Sequence, residues 1–360
     1  MSSQEPRFML DPYLEWVRRE GVPVVEDFGV DLFEVVTRPW PRFGVDGAAV
    51  HVAGRGDFLC IILLDLPPGQ ASSPQRHLYE EVFYVIDGHG STVIEDAAGR
   101  RRSFEWGPRS LFAIPLNARY RLFNGSGSQR ARLASTVDLP LMMNLFRSEA
   151  FIFDNAAEFP DRMGDERYFA GDGEFIPMRP GRHMWETNFV PDLGQFELQE
   201  WNERGAGSKN IMFILAEGTM HAHVSEIPVG RYKKAHRHGP EAHIFPVTGR
   251  GYSLLWYEGE PDLRRVDWAH GTVYAPPDMM FHQHFNVCPE PARYLATMLG
   301  NLRYPLTEDK RQVMQGVDVD VRKGGRQIEY RDQDPRIHET YLQALAESGV
   351  EPRMEELPGK

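Results

Sequence analysis

The sequence predicts a mainly β protein in which one barrel-like domain occurs twice, with helical extensions at both ends of the chain. Two observations support this fold class. From Phe58 onward, apolar runs of strand length alternate with turn residues, a spacing typical of β-sandwiches and barrels. The same order of residues recurs about 161 positions later, and such an internal repeat indicates a duplicated domain.

Composition limits the classes of protein that the chain can belong to. Its 360 residues are enough for two domains, and 41% hydrophobic with 26% charged residues is typical of a soluble globular protein. A net charge of −12 disfavours nucleic acids and anionic membranes as partners. No signal peptide is evident, and no apolar run reaches the ~18 residues of a membrane span. Cys60 and Cys288 lie in apolar stretches, which predicts buried free thiols, and we expect a cytoplasmic protein.

Residues 1–50 are predicted to form an N-terminal arm. Its recognisable element is a short amphipathic helix over Tyr13–Glu20, which should end near Gly21 and Pro23. An arm of this kind packs on the body of its own chain or on a second subunit, and from it we expect a homodimer.

Residues 51–150 are predicted to form the first barrel. A buried strand ends at the turn Pro67-Pro68-Gly69, and a hairpin bends at Ala97-Ala98-Gly99. The predicted strand segments are FLCIILLDL, EEVFYVIDGHG, STVIEDAAGRRRSFEW (the hairpin), SLFAIP, YRLFN and ARLASTV.

Residues 206–305 are predicted to form the second barrel, because landmark residues keep an almost constant distance from their counterparts in the first. A chance similarity would drift over such a span. Four pairs lie 161 or 162 residues apart: Gly69 and Gly230, His77 and His238, Gly88 and Gly249, and Asn124 and Asn286.

The remaining segments connect and extend the two barrels. Residues 151–205 combine turn residues with aromatic ones, which indicates an ordered crossover rather than a flexible linker. Residues 306–360 are predicted to be a C-terminal extension. It carries a helix near Asp334–Ser348, with Asp334 as its cap, Pro335 in its first turn and Gly349 at its end.

Three histidines of the second barrel are candidate metal ligands. His236 and His238 are two apart, so on a strand both rings leave the same face. His282 comes from a later segment and could complete the set. Imidazole is the commonest protein ligand for transition metals, and three of them would leave coordination positions open for chemistry.

The second barrel resembles the cupin superfamily, whose small barrels, double-stranded β-helices, carry two short motifs. Gly230, His236, His238 and Gly249 fit the first motif. Gly271, Pro277, His282 and Asn286 fit the second, with Met279 where the family usually has glycine. The resemblance covers some 200 residues and implies a bicupin.

Within the superfamily, the segments HRHGPEA and FHQHFN most resemble the corresponding motifs of the gentisate and salicylate dioxygenase group. Ala242 falls where most cupins place a metal-binding glutamate. The gentisate and salicylate dioxygenase group also lacks this carboxylate. The resemblance implies an Fe(II) site with three neutral imidazoles, a chelating hydroxylated aromatic or enolic acid as substrate, and O2 as second substrate. Cleavage of a carbon–carbon bond with insertion of both oxygen atoms would follow.

The first barrel departs from the motifs. Gln75 stands where the first histidine belongs, His77 and Glu81 remain, and Tyr120 replaces the later histidine. One imidazole and one carboxylate are too few for a tight transition-metal site. We therefore expect a structural barrel without metal.

Other residues near the motifs have open assignments. Depending on how the turn after His238 is counted, His243 is a possible fourth ligand, and Glu241 could reach the metal or orient an imidazole. His284 shares a face with His282 and is a candidate acid/base or hydrogen-bonding residue. His221 and His223 are read as an ordinary pair on a strand. The arginines considered for a substrate carboxylate are Arg237, Arg250, Arg264, Arg265 and Arg293.

Two other functions remain open from the sequence. One is an O2-independent isomerase, lyase or decarboxylase that uses Zn, Mn or Ni as a Lewis acid. The other is a bicupin that binds metal or ligand without catalysis. Fold alone does not separate these functions, because chemistry depends on the site.

Overall fold

The protein was analysed as a computed structural model, which describes residues 10–52, 58–96, 98–179, 182–239, 242–306 and 316–354. In this part of the chain the structure is mainly β, with few helices. The strands are β1 Val24–Asp27, β2 Gly29–Asp31, β3 Arg38–Trp40, β4 Val45–Val52, β5 Cys60–Leu66, β6 Glu81–Asp87, β7 Gly90–Glu95, β8 Arg101–Trp106, β9 Leu111–Ile114, β10 Arg119–Asn124, β11 Ala131–Val137, β12 Glu174–Arg179, β13 Arg182–Thr187, β14 Phe189–Val190, β15 Gln199–Glu200, β16 Lys209–Leu215, β17 Met220–Ile227, β18 His243–Thr248, β19 Arg250–Trp256, β20 Arg264–Ala269, β21 Thr272–Tyr274, β22 Phe281–Asn286 and β23 Ala292–Leu299. The α-helices are α1 Pro12–Glu20, α2 Leu139–Phe146, α3 Glu149–Phe153 and α4 Pro335–Ser348, and short 3-10 turns span Pro160–Met163, Glu166–Phe169, Asn202–Arg204, Val321–Lys323 and Tyr330–Asp332.

Both predicted terminal helices are confirmed, with the expected ends. In α1 the side chain of Asp11 accepts a hydrogen bond from the Leu14 amide, and Gly21 ends the helix with φ of 71°. In α4 Asp334 accepts from the Arg336 amide, and Gly349 adopts φ of 67°. These local capping groups satisfy backbone donors and acceptors that the helices leave open, which explains why the sequence predicts the ends well.

Each barrel consists of a large and a small sheet. In the first barrel the large sheet has the order β1-β4-β5-β11-β6-β9-β14, with β3 beside β4, and the small sheet has the order β10-β7-β8. In the second barrel the large sheet has the order β12-β13-β16-β17-β23-β18-β21-β2, with β15 beside β16, and the small sheet has the order β20-β19-β22. The predicted duplication of one double-sheet domain is confirmed.

Equivalent asparagines show how closely the two barrels match. The Asn124 side-chain amide donates to the backbone oxygens of Leu66, Pro67 and Gln129. The Asn286 amide does the same to those of Ile227, Pro228 and Glu290. The repeated asparagine therefore ties the end of one strand to two turns in each barrel.

Two short strands cross between the barrels. β2, from the N-terminal arm, pairs with β21 of the second barrel, and β14, from the crossover, pairs with β9 of the first. The sequence predicted an arm and an ordered crossover, but not that both contribute strands to the sheets of the two barrels: β1 to β4 begin in the arm, and β12 to β15 lie in the crossover. Edge pairing of this kind covers backbone groups that would otherwise be exposed.

The two large sheets pack against each other. One hydrophobic cluster contains Leu63 and Tyr84 from the first barrel together with Phe245 and Leu295 from the second. A second cluster holds the interior of the first barrel and the buried face of α1, including Trp16. A third lies between the second barrel and α4.

The C-terminal extension closes one end of the second barrel. The Ile328 amide donates to the Ala235 carbonyl, and the Arg237 amide donates to the Arg326 carbonyl, so residues 326–328 run beside the strand segment that carries His236. The side chain of Tyr341, in α4, donates to the backbone oxygens of Arg231 and Asn286. The extension is thus part of the wall around the predicted metal ligands.

Both cysteines are buried and carry no disulfide, as the sequence predicts. Among the described helices, none combines the length and the apolar character required to cross a membrane.

Candidate metal centre

The three predicted ligands come together in the second barrel. One nitrogen each from His236, His238 and His282 lies within 4.8 Å of the others. The ring centroids are 4.2 Å apart for His236 and His282, 4.9 Å for His238 and His282, and 5.2 Å for His236 and His238. In the described part of the chain this is the one such group of metal-binding side chains.

Backbone pairing places these rings. His236 forms a bridge with His282, each amide donating to the other's carbonyl at 3.1 and 2.8 Å. Directly opposed residues of an antiparallel pair project from the same face, so the two imidazoles must meet. His238 lies two residues after His236, so its ring projects to the same side and completes the group of three.

Burial favours the neutral form of His236 and His282, which is the form that binds a metal. The pKa of His282 is lowered to about 4, mainly because burial disfavours the imidazolium, and Arg204 lowers it further. The pKa of His236 is also lowered well below its usual value, by burial and then by the charge of Arg204. His282 Nδ1 lies 3.1 Å from the Met280 carbonyl oxygen, which only accepts, so Nδ1 carries the proton and Nε2 offers a lone pair. The residues present therefore fit a divalent metal ion.

Arg204 is a buried cation beside this group, and sequence inspection did not identify it. Its side chain is 2% exposed. Its guanidinium donates to Gln327 Oε1, and it also contacts Nδ1 of His236. Arg204 ends a 3-10 turn of the crossover, so nothing in the histidine motifs points to it.

A cavity of about 60 Å³ lies against His236 and His238. Its polar and charged lining includes two further imidazoles, the Arg204 guanidinium, the Lys233 ammonium group and the Tyr294 phenol. The complete lining is Trp201, Arg204, Asn210, His221, His223, Ser225, Lys233, His236, His238, Gly239, Tyr294, Met298 and Val317. Among these described lining residues there is no carboxylate, which makes the cavity positive and suited to an anion.

The lining bears on two interpretations of the sequence. His221 and His223 form a pair on β17, as expected, and both also line this cavity, with His221 Nε2 at 2.9 Å from His223 Nδ1. The five arginines proposed for a substrate carboxylate are absent from the lining. Arg237 and Arg293, for example, pair with Glu258 and Glu226 at 2.8 Å. These two arginines are therefore already paired with carboxylates of the protein. The cations that do line the cavity, Arg204 and Lys233, were not among the residues considered from the sequence.

His243 is placed in the interface between the barrels. It is fully buried, is not part of the group of three, and its Nδ1 lies 3.3 Å from Thr136 Oγ1 of the first barrel. Thr136 Oγ1 is in turn 2.7 Å from Thr297 Oγ1. The turn that made its position ambiguous contains Glu241, which lies outside the described residues.

His284 stands behind the metal ligands rather than in the cavity lining. Its ring is 5.5 Å from that of His282, and its Nδ1 lies 2.8 Å from Ser253 Oγ and 3.1 Å from the Tyr274 hydroxyl. Burial lowers the pKa of His284 well below its usual value, and the neighbouring His282 and Lys233 lower it further. A neutral His284 held in this way can exchange hydrogen bonds near the site.

The first barrel closes the equivalent position with hydrogen bonds. Glu81 lies where the second barrel has Ala242, and its Oε2 accepts from the Tyr120 hydroxyl at 2.6 Å and lies 2.9 Å from His77 Nε2. Ser135 donates to its other oxygen at 2.7 Å. That the first barrel holds no metal stays a prediction, and this network gives it a physical basis.

A larger groove of about 440 Å³ lies on the first barrel, between the loop around Arg100 and the segment around Phe159. It shares no residue with the histidine group. The smaller cavity, which His236 and His238 line, is therefore the candidate site.

Comparisons with known proteins agree with this fold. No protein-family model matches the chain. Over 88 residues the chain is 31% identical to a 5-aminosalicylate 1,2-dioxygenase from a Comamonas species, and the match spans 24% of this chain but only 22% of that protein. Two solved structures of oxalate decarboxylase, one of a tryptophan-to-tyrosine variant from Bacillus subtilis and one from a study of the substrate binding mode, superpose with a TM-score of 0.50. Each is 16% identical, with 77% of this chain and 78% of that chain covered.

A double-sheet barrel with histidines of the two short motifs converging at one end is the defining arrangement of the cupins. Here the barrel occurs twice in one polypeptide. The chain therefore has the fold of a bicupin.

Proposed function

We propose that this bicupin is a non-haem Fe(II)-dependent dioxygenase that cleaves a carbon–carbon bond of a chelating hydroxylated aromatic or enolic acid. One observation carries the proposal: His236, His238 and His282 converge, and Ala242 stands at the position of Glu81 in the first barrel, so that no carboxylate of the described residues joins the group. A neutral ligand set leaves the charge of a divalent ion uncompensated, which favours an anionic, bidentate substrate.

Similarity to a dioxygenase supports the same conclusion. The curated relative is named as a 1,2-dioxygenase of an aminosalicylate, which is an aromatic acid with a hydroxyl group beside its carboxylate. The match covers about a quarter of this chain, so the substrate and the reaction of the whole protein belong to the proposal.

His236, His238 and His282 would hold the metal. When bound, Fe(II) supplies a Lewis acid with open positions that orients a chelating substrate and O2 toward each other. Burial lowers the pKa values of His236 and His282, so protons compete less for their ring nitrogens.

The cavity lining supplies the remaining functions. Arg204 and Lys233 attract an acid into the cavity, because both are buried cations of its wall. His284 is the candidate to hold or pass a proton at its imidazole, supported by Ser253 and Tyr274. Val317, from the C-terminal extension, covers the cavity on the side of Arg204 and limits access of water.

The test is iron content and O2 uptake of protein purified without air. The protein should bind about one Fe(II) per chain and consume O2 when given a suitable hydroxylated aromatic or enolic acid. His236→Ala should lose both, because two imidazoles do not hold the ion. The matched control is His77→Ala, which removes the equivalent of His238 from the first barrel and should keep iron and uptake. Full O2 uptake by His236→Ala would end the proposal.

The same preparation separates the proposal from its alternatives. Turnover of the acid under nitrogen, with Zn, Mn or Ni in place of Fe, would instead indicate an isomerase, lyase or decarboxylase. A second barrel that binds no metal would indicate a bicupin without this chemistry.

A further inference from the structure

Gln327 is a buried glutamine of the C-terminal extension that lies directly opposite the metal ligand His236. The backbone of His236 is bridged to His282 on one side and to Gln327 on the other, so the ligand segment lies between β22 and the extension. Gln327 is 1% exposed. Directly opposed residues of an antiparallel pair project from the same face, which puts the Gln327 side chain and the His236 imidazole on one side of this pairing.

Arg204 connects these two side chains. Its guanidinium donates to Gln327 Oε1 and, at 3.4 Å, to the Val317 carbonyl, and it contacts Nδ1 of His236. Apart from His236, its hydrogen-bond acceptors among the described residues are therefore both in the extension. A guanidinium is a rigid plane of donors, so partners that hold one edge also set the direction of the other. The extension thus determines where Arg204 meets His236.

Gln327 is itself held by several groups. Its Nε2 donates to Glu329 Oε1 at 3.0 Å and to the Glu203 carbonyl at 3.2 Å. The other oxygen of Glu329 pairs with Lys234 at 2.8 Å. Side chains locked by such hydrogen bonds can hold a functional group in a defined geometry.

The first barrel fixes the equivalent position in another way. Gln75 stands there in place of His236, and its amide donates to the backbone oxygens of Arg42 and Ser73 at 2.8 and 3.2 Å. The connection through Arg204 and Gln327 is therefore not a requirement of the barrel fold. It accompanies the barrel that carries the metal ligands.

Gln327 does not belong to the cavity lining, whereas Arg204 does. Substitution of Gln327 therefore changes the support of His236 without removing a group that a substrate would meet. This separates an effect on the metal ligand from an effect on the cavity.

We propose that Gln327 is a positioning residue that fixes the His236 imidazole for metal binding through Arg204, so that the C-terminal extension is a functional part of the metal centre. The inference rests on one part of the proposed function, namely that His236, His238 and His282 hold the metal. Because coupling between two events is reciprocal, a bound metal should in turn stabilise the pairing of the extension with the ligand segment.

The first test measures the affinity for Co(II), whose visible absorption depends on the number and arrangement of its ligands. Metal-free protein is titrated with Co(II) under nitrogen. Gln327→Leu should weaken binding about 10- to 100-fold, as loss of a residue that orients a metal ligand does, and should alter the absorption bands of the bound ion.

The matched control is Gln333→Leu. Gln333 is also a buried glutamine of the extension, but its Nε2 donates to the Tyr232 hydroxyl at 2.7 Å instead of supporting Arg204. This variant should keep the Co(II) affinity and spectrum. The double substitution Gln327→Glu with Glu329→Gln exchanges donor and acceptor between the two positions and keeps an oxygen for Arg204, so it should recover most of the affinity.

A second measurement uses the unaltered protein and does not depend on the folding of any variant. The Ile328 amide donates to the Ala235 carbonyl, and the Arg237 amide donates to the Arg326 carbonyl. Co(II) should slow hydrogen exchange of these two amides several-fold, because it stabilises the pairing that protects them. The Gln75 amide, at the equivalent position of the first barrel, should exchange at an unchanged rate.

The inference is overturned if Gln327→Leu binds Co(II) as tightly as the unaltered protein, if it loses no more affinity than Gln333→Leu, or if Co(II) leaves exchange of the Ile328 and Arg237 amides unchanged. Failure of the proposed function looks different. Metal binding that depends on Gln327 but is accompanied by no O2 uptake would overturn the dioxygenase alone, whereas an unaltered protein that binds no metal would overturn both.

Discussion

At the scale of single residues, three exchanges distinguish the two barrels. Gln75, Glu81 and Tyr120 of the first correspond to His236, Ala242 and His282 of the second, whereas His77 and His238 are the same residue in both. In the first barrel a carboxylate accepts hydrogen bonds from its neighbours and closes the position. In the second, the shorter alanine leaves three imidazoles facing one another. The same backbone therefore carries a hydrogen-bonded carboxylate in one barrel and a candidate metal centre in the other.

The hydroxyl of Ser253 offers a test at this scale. Its Oγ lies within hydrogen-bond distance of His284 Nδ1, the Tyr274 hydroxyl and Trp268 Nε1, at 2.8, 2.6 and 3.0 Å. Ser253→Ala should destabilise the protein by about 1–3 kcal/mol, because buried polar groups lose a partner. It should also slow O2 uptake at unchanged iron content, because His284 is no longer held.

The matched control is the equivalent hydroxyl in the first barrel. Thr92 Oγ1 accepts from Trp106 Nε1 at 3.0 Å, and Thr92→Val removes that bond at similar volume. Denaturant unfolding should show a stability loss for both variants, but O2 uptake should fall in Ser253→Ala alone. Equal uptake in the two variants would argue against a role of His284 in the reaction.

At the scale of elements, close packing of strands sets the position of the ligands. β19 lies between β20 and β22, and β22 carries His282 and His284. A Cβ atom on Gly251 would lie 1.9 Å from the Phe285 carbonyl oxygen and 2.6 Å from the Trp268 ring. Glycine is therefore required at this point for the strand with the ligands to approach β19.

Gly251→Ala should lower the stability by about 1–3 kcal/mol or more and should weaken iron binding, because β22 must move away from the clash. Gly90→Ala in the first barrel meets the Phe123 oxygen at 2.0 Å and should destabilise the protein equally while iron binding is retained. Gly127→Ala, with nothing within 4 Å of its added Cβ, should change neither. Urea unfolding and iron analysis of the three variants distinguish these outcomes, and iron loss in Gly90→Ala would contradict the assignment.

At the scale of the whole molecule, buried polar groups join the barrels. Glu80 of the first barrel accepts from Arg162 of the crossover at 3.0 Å and from the Thr219 hydroxyl of the second barrel at 3.1 Å. The Glu80 amide donates to Asp138 Oδ1 at 2.8 Å. Burial raises the pKa of Asp138 to about 8, and the charge of Glu80 adds to this. The joint between the barrels therefore holds a carboxyl group that is neutral at pH 7.

This carboxyl group makes stability depend on pH. From pH ~4 to about 8 the folded protein keeps a proton on Asp138 that the unfolded chain has released, so the free energy of unfolding should fall as pH rises through this range. Asp138→Asn stays neutral and keeps an oxygen for the Glu80 amide. The variant should be more stable than the unaltered protein by a few kcal/mol near pH 8, with the difference vanishing below pH ~4. Thermal unfolding at several pH values measures it, and a difference that does not vary with pH would contradict the prediction.

Much of the fold and the three ligands could be predicted from the sequence. The strands of the first barrel, the repeat and both terminal helices depend on local signals, namely apolar runs, turn residues and caps. His236, His238 and His282 occur at spacings that a strand pairing brings together. The strands β2 and β14 could not be predicted in the same way, because short segments join a sheet only when a partner edge is present.

No local signal in the sequence predicted the cavity beside the three histidines. Arg204 belongs to the crossover and Val317 to the C-terminal extension, far from the motifs in the chain. Lys233 is adjacent to the motif, but its place in the cavity lining is visible only in the folded chain. His243 could be counted as a ligand until the structure placed it against Thr136 of the other barrel.

The sequence by itself determined that the chain is a duplicated barrel with three histidines in one copy, because repeats, turns and caps act over a few residues. The tertiary structure decided which cations line the cavity and which groups join the barrels, because those contacts connect residues a hundred or more positions apart, such as Arg204 and Gln327 or Glu80 and Thr219.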